Sequence, residues 1–183
     1  MHTGAIDAQL AHEVAGQFDH KMVAKSECLV TEGKTSNDYY ILEQGGMRGF
    51  VIDTKGVEVT TTLYLPGQPV FDVSSFFLRI AAKETIQAVM DCTGWSISFD
   101  RLNHLFHSIP AFRETGRATL VKGYASLKER MLAQITATAE ERYLQLLATS
   151  PDVVQMFPLK YIASYLGITD TSLSRIRKEM ARR

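Results

Sequence analysis

The chain has 183 residues, 45% of them hydrophobic and 22% charged, a balance that suits a globular protein with one substantial core and a smaller second module. No apolar run approaches the roughly 20 residues a bilayer span requires, and the N-terminus lacks the basic and apolar stretches of a secretory leader; a cytoplasmic protein with no membrane partner is expected. The net charge is zero but segregated, because residues 159–183 carry +4 and the rest of the chain −4.

In chain order, residues 5–18 have helical spacing at Ile6, Leu10, Val14 and Phe18, which predicts a packing helix. From about Lys21 to Phe99 the texture becomes short β-type runs: 22–23, 28–31, 39–42, 49–53, 57–65, 86–90 and 95–99. Turn residues fall between them at Glu32-Gly33, Gln44-Gly45-Gly46, Thr54-Lys55-Gly56 and Pro66-Gly67. Short strands without long intervening helices predict an antiparallel barrel or roll. The β pattern lapses between Pro66 and Glu84, where residues 74–78 look like one helical turn inside a ligand-type loop. Cys28 and Cys92 are too few to hold an iron–sulfur cluster alone. Flanked by strand-like sequence, they read as buried small hydrophobes rather than a disulfide or metal pair.

A helix is predicted from Asp100 through His107, and a longer one from Pro110 to Thr136. On the longer helix Leu120, Tyr124, Leu127 and Met131 form a short coiled-coil seam, with Gly123 beside it to let two backbones approach. Val121, Leu132 and Ile135 widen the apolar surface beyond one stripe, so two partners are expected, the roll and a second copy of the chain. Thr138 and Glu141 form a capping-box pattern for a helix ending at Ser150, before Pro151. The domain boundary is expected between Thr136 and Glu140.

Residues 159–183 read as a helix-turn-helix. Two short helices crossing steeply need a small residue at the contact and a residue tolerating positive φ at the turn, and Ala163 and Gly167 stand at those places. Ile162, Leu166, Ile168, Leu173 and Ile176 supply the seam, and Thr169 or Asp170 the cap of the second helix. Thr171, Ser172, Ser174, Arg175 and Lys178 are the side-chain types that read base edges. A basic tip on a mildly acidic body suits phosphate contact, although a plain helical hairpin with a solvated basic face fits the same pattern.

The whole order resembles the Crp/Fnr family of transcriptional regulators from about Ala5 to Met180. The resemblance is carried most strongly by EERYLQLL at 140–147, PLKYIASYLGIT at 158–169 and LSRIRK at 173–178. It implies an α+β fold: an N-terminal antiparallel β-roll of the jelly-roll, double-stranded β-helix kind with flanking helices, a long dimerisation helix, and a small C-terminal helix-turn-helix domain without a complete wing. Residues 1–136 would form the sensor and 137–183 the DNA-binding domain. It also implies that Thr171, Ser172 and Arg175 face base edges, with Arg175 reading guanine. Lys160, Ser174, Arg177 and Lys178 would meet the backbone, with Thr169 in the same surface. The implied partners are double-stranded DNA, a second copy of the chain meeting along Leu120, Gly123, Tyr124, Leu127 and Met131, and RNA polymerase. Because the sequence stops at Arg183, where many members continue into a wing, weaker and more salt-sensitive DNA binding is expected.

The effector pocket departs from the family pattern. Where cyclic-nucleotide sensors hold the phosphate with a Phe-Gly-Glu turn and an Arg-Ser pair, this chain has Phe71, Asp72, Val73 and Ser74, then Ala82 and Lys83. Lysine cannot make arginine's two-pronged contact. The family's purine-reaching pair aligns with Leu127 and Lys128. No cofactor is therefore assigned; a small effector other than cyclic AMP, or none, is expected. Two rival readings remain, a sensor or interaction module that no longer reads DNA and a cupin-type metal enzyme. For the latter, His2, His12, His20, His104 and His107 avoid the strand interiors; His104 and His107 share a helix face at metal-binding spacing but read as exposed surface, and no enzyme is expected.

Overall fold

The computed structural model describes residues 8–182; Ile6 of the first predicted helix, His2 and Arg183 lie outside them. The first helix, α1 (Ala8–Ala15), lays Leu10 and Val14 on the roll and is followed by two four-stranded antiparallel sheets. One runs β1 (Asp19–Val23), β8 (Cys92–Ser98), β3 (Asp38–Gln44), β6 (Pro69–Val70) in spatial order. The other runs β2 (Cys28–Val30), β7 (Thr85–Ala88), β4 (Met47–Ile52), β5 (Glu58–Tyr64). Every strand run expected from the sequence is present within a few residues. Strand β6 was not expected, since two residues led by a proline carry almost no periodic signal.

Alternation along the strands sends Val23, Tyr40, Leu42, Met47, Val70, Ile86 and Cys92 into one core between the sheets. Cys92 is buried as expected, but Cys28 is exposed, because the short edge of β2 turns it outward. Gly45 shows why the β3–β4 turn demands glycine. Its φ is +95°, and a Cβ there would stand 2.6 Å from the Asp91 carbonyl oxygen and the Cys92 Sγ.

A second core is aromatic. Phe71, the single helical turn α2 (Val73–Leu78) and α3 (Phe99–Ser108) bring Tyr39, Phe71, Phe76, Phe77, Phe99 and Phe106 together, with Tyr39 and Phe71 centroids 4.6 Å apart. The long α4 (Pro110–Thr136) then begins with its proline in the first turn.

After the extended Ala137, α5 (Ala139–Thr149) starts with the expected capping box. Glu141 Nα donates to the Thr138 hydroxyl and Thr138 Nα to the Glu141 carboxylate. The donation from Thr138 Nα, and after it that of the Thr138 hydroxyl to the same carboxylate at 2.9 Å, hold the Glu141 carboxyl below its ordinary range. A short α6 (Val153–Met156), α7 (Leu159–Tyr165) and α8 (Asp170–Met180) complete the chain. The one-turn α6 was not foreseen because Pro151 signals only a stop. The last four helices close a third core of Tyr143, Val153, Phe157, Ile162, Leu166 and Leu173, to which the roll contributes Leu63, Leu65 and Val89. No helix among the described residues is long and apolar enough to cross a membrane. His104 and His107 are exposed, and no metal-type cluster of three or more His, Cys, Asp or Glu occurs among the described residues.

Candidate DNA interface and sensor cavity

The turn between α7 and α8 is fixed by the backbone. Gly167 takes φ +70°, letting Gly167 Nα donate to the Ser164 carbonyl and Ile168 Nα to the Ala163 carbonyl, each at 3.0 Å. Thr169 caps α8 by accepting from Ser172 Nα at 3.2 Å. With Leu173 fully buried and Ile176 and Met180 packed against the same core, Asp170, Thr171, Ser174, Arg175, Arg177, Lys178 and Glu179 of α8 face solvent.

Thr171, Arg175 and Lys178, spaced four and three apart, share one exposed stripe. Ser174 is exposed beside it, Arg177 lies further round the helix, and the half-buried Ser172 is held by the Thr169 hydroxyl at 2.9 Å. Lys160 is exposed on the first turn of α7, its Nζ 4.9 Å from the Tyr161 ring centroid.

Helix α4 buries none of its own residues. Leu120, Tyr124, Leu127 and Met131 form a continuous exposed apolar stripe, with Tyr124 70% and Leu127 62% exposed, and Val121, Leu132 and Ile135 widen it. Such a stripe is unusual on a helix whose other side faces its own domain. Gly123 points away from the stripe's centre and lines a cavity on the roll side; a Cβ placed there meets nothing within 4 Å.

The structure does not gather the eight residues singled out around the phosphate turn. Phe71 is absorbed in the aromatic core, and Asp72 caps α2 by accepting from Ser75 Nα at 2.6 Å. Ala82 sits in the core between the sheets, Val73, Ser74 and Lys83 are exposed, and Leu127 and Lys128 lie on the outer side of α4.

What does enter the roll is Glu84. Its carboxylate accepts from the Thr61 hydroxyl at 2.5 Å, and a Cβ on Gly49 would come within 2.9 Å of it. Burial raises the Glu84 carboxyl above its ordinary value, and Asp72 adds to the rise, while the Thr61 hydrogen bond and Arg130 oppose it. Burial also raises the neighbouring Tyr64 hydroxyl, and Glu84 raises it further. The interior thus carries carboxyl groups where a cyclic phosphate needs cations. The sequence signal was the acidic residue directly after Lys83, with Thr61 of the threonine run 60–62 facing it.

Roll and terminal helices are joined through β5. Thr60 Nα donates to the Ser164 hydroxyl at 2.8 Å, so α7 satisfies an otherwise open edge strand. The Arg48 guanidinium, 3% exposed, lies 3.8 Å from the Tyr161 centroid and 4.3 Å from that of Phe50, and is ion-paired with Glu58. From α4, Arg130 stacks on Tyr165 at 4.1 Å and donates to the Thr61 carbonyl. From α5, Arg142 donates to the carbonyls of Ala137 at 2.7 Å and Leu166 at 3.0 Å. A cavity of about 730 Å³ opens among β5, α4, α5 and α7.

A β-roll, a long helix with an exposed apolar stripe and a C-terminal helix-turn-helix make up the architecture. Residues 20–108 match the cyclic nucleotide-binding domain family. The fold as a whole is shared with FixK2 from Bradyrhizobium japonicum at a TM-score of 0.78 and 16% identity, covering 90% of this chain and 85% of that one. A mutant of CooA from Carboxydothermus hydrogenoformans follows at 0.72 and 16%, covering 93% and 79%. The catabolite activator protein of Thermus thermophilus aligns at 0.60 and 17%, covering 98% and 85%. No curated protein sequence matches the chain. Residues 20–108 thus resemble a cyclic nucleotide-binding domain, and the chain as a whole has the fold of solved regulators such as FixK2 and a Crp/Fnr-family protein from Eubacterium rectale.

Proposed function

We propose that this chain is a DNA-binding transcriptional regulator that reads a pseudo-palindromic operator as a homodimer. The observation that carries the reading is the surface of α8, where Thr171, Ser174, Arg175 and Lys178 are exposed over a buried Leu173 on a helix fixed by its own cap. Arginine reads guanine with two parallel donors, and short hydroxyls read their neighbours. Lys160, Thr169 and Arg177 supply phosphate-facing groups on either side. Pairing of two copies along Leu120, Tyr124, Leu127 and Met131 supplies the two-fold symmetry. It would present two recognition helices to major grooves about 34 Å apart.

The roll would serve as sensor, with an interior whose Asp72 and Glu84 repel a cyclic phosphate. A binding selection from randomised duplex DNA tests the reading. Enrichment of an inverted repeat is expected; recovery of no sequence above background would leave a dimeric sensor or interaction module that does not read DNA.

A further inference from the structure

The cavity among β5, α4, α5 and α7 is chemically unlike the roll interior beside it. Its volume of about 730 Å³ lies within the roughly 300–1,000 Å³ typical of small-molecule sites. Three cationic side chains line it, Lys122, Arg130 and Arg142, against one carboxylate, Glu129. None of the three cations makes an ion pair among the described residues. Arg130 and Arg142 donate only to neutral carbonyls, and the buried Nε of Arg142 has no partner. Cations that outnumber the carboxylates lining a concave site raise the local concentration of anions. The rest of the lining mixes hydroxyl, amide and aromatic groups, including Ser126, Gln145, Tyr64 and Tyr165, with aliphatic side chains such as Leu63, Leu146 and Val153. None of the phosphate-turn residues 71–74 or 82–83 reaches it.

We infer that this cavity, and not the roll interior, is the effector site, and that its ligand is a small hydroxyl-bearing phosphate ester. The inference rests on the sensor role proposed above. The phosphate would sit against Lys122, whose charge is uncommitted, and Arg142, with its unpartnered Nε, would meet another polar group of the ligand at the far end of the cavity. Occupancy has a direct route to the DNA-reading helices. Arg130 lines the cavity while stacked on Tyr165 of α7, and Arg142 holds the Leu166 carbonyl immediately before the helix-turn-helix turn. A ligand that competes for either guanidinium changes how α7 is held, which gives it differential affinity for two placements of the DNA-reading unit.

The test is thermal unfolding of the full chain with AMP, with glucose 6-phosphate, and with sulfate at matched ionic strength. At ten times its Kd, one of the two esters is expected to raise Tm by about 3–5 °C, and sulfate is not. An effect of AMP alone assigns a nucleotide, and of glucose 6-phosphate alone a sugar phosphate; either supports the site. Lys122→Glu, an exposed substitution that leaves the fold intact, should weaken the ester at least tenfold, whereas Lys55→Glu in the distant β4–β5 turn should not. Arg142→Gln should act in the same direction as Lys122→Glu. No shift with either ester, or the same shift in Lys122→Glu, overturns the inference. Duplex-DNA binding measured in the same samples without ester separates the two readings. An ester shift without DNA binding counts against the regulator, and DNA binding without an ester shift counts against this cavity.

Discussion

The helix-turn-helix and the roll interior are both small sites built from a handful of side chains, yet they are encoded in opposite ways. Every feature of the first is local. The cap, the glycine at positive φ, the buried seam and the outward stripe lie within residues 158–180, so helical spacing alone sorts them into faces. The roll interior is assembled from residues far apart in sequence: Gly49 on β4, Thr61 on β5 and Glu84 before β7 meet only because the sheet pairs β5, β4 and β7 side by side. A site made by register can be read from sequence only if the register is known, and a bulge between Gly49 and Phe50 shifts it.

The sharpest test of the local site is its core. Leu173 is fully buried in the cluster joining α5, α6, α7 and α8. Leu173→Ala should cost about 2–5 kcal/mol and abolish DNA retention, read by chemical denaturation and by duplex binding on one preparation. If stability falls while DNA affinity stays whole, the terminal helices are not the DNA-reading unit.

Arg175→Ala probes the outward side of the same helix. It should leave stability unchanged and cost about 1–3 kcal/mol in DNA affinity, with relaxed preference at one base position in each half-site. Uniform weakening on all sequences would instead make Arg175 a phosphate contact, and the base-reading face of α8 would need to be placed elsewhere.

How much was legible follows the same division. Helix α4 from Pro110 to Thr136, the capping box at Thr138 and Glu141, and the glycine turns were all visible because short-range chemistry forces them. The short β6 and α6 were invisible because two and four residues hold too little pattern. Among the residues lining the cavity, nothing in the sequence sets Arg130 and Arg142 apart from ordinary helix-surface cations. Their stacking on Tyr165 and reach to the Leu166 carbonyl depend on how α7 docks against β5, which no periodicity reports. The capping box gives a smaller and purely local check: Thr138→Ala removes the acceptor for Glu141 Nα and should cost about 1 kcal/mol by denaturant titration. No loss would mean that the start of α5 is held by the third core alone.

The smallest effect expected is also the most diagnostic of the roll. Glu84 has its carboxyl raised in the folded chain by burial and by Asp72, so folding binds a proton more tightly there than the unfolded chain does. The stabilising contribution of the protonated form is then fully present below the ordinary value of 4.5 and is lost as pH rises through the folded value. Glu84→Gln keeps an acceptor for the Thr61 hydroxyl and removes the charge. The variant should match the parent in Tm at the acid end and exceed it at neutral pH. A variant that is less stable than the parent at neutral pH would mean that Arg130 more than offsets the burial of the Glu84 charge. The roll interior would then be a satisfied ionic site rather than an acidic one that repels phosphate.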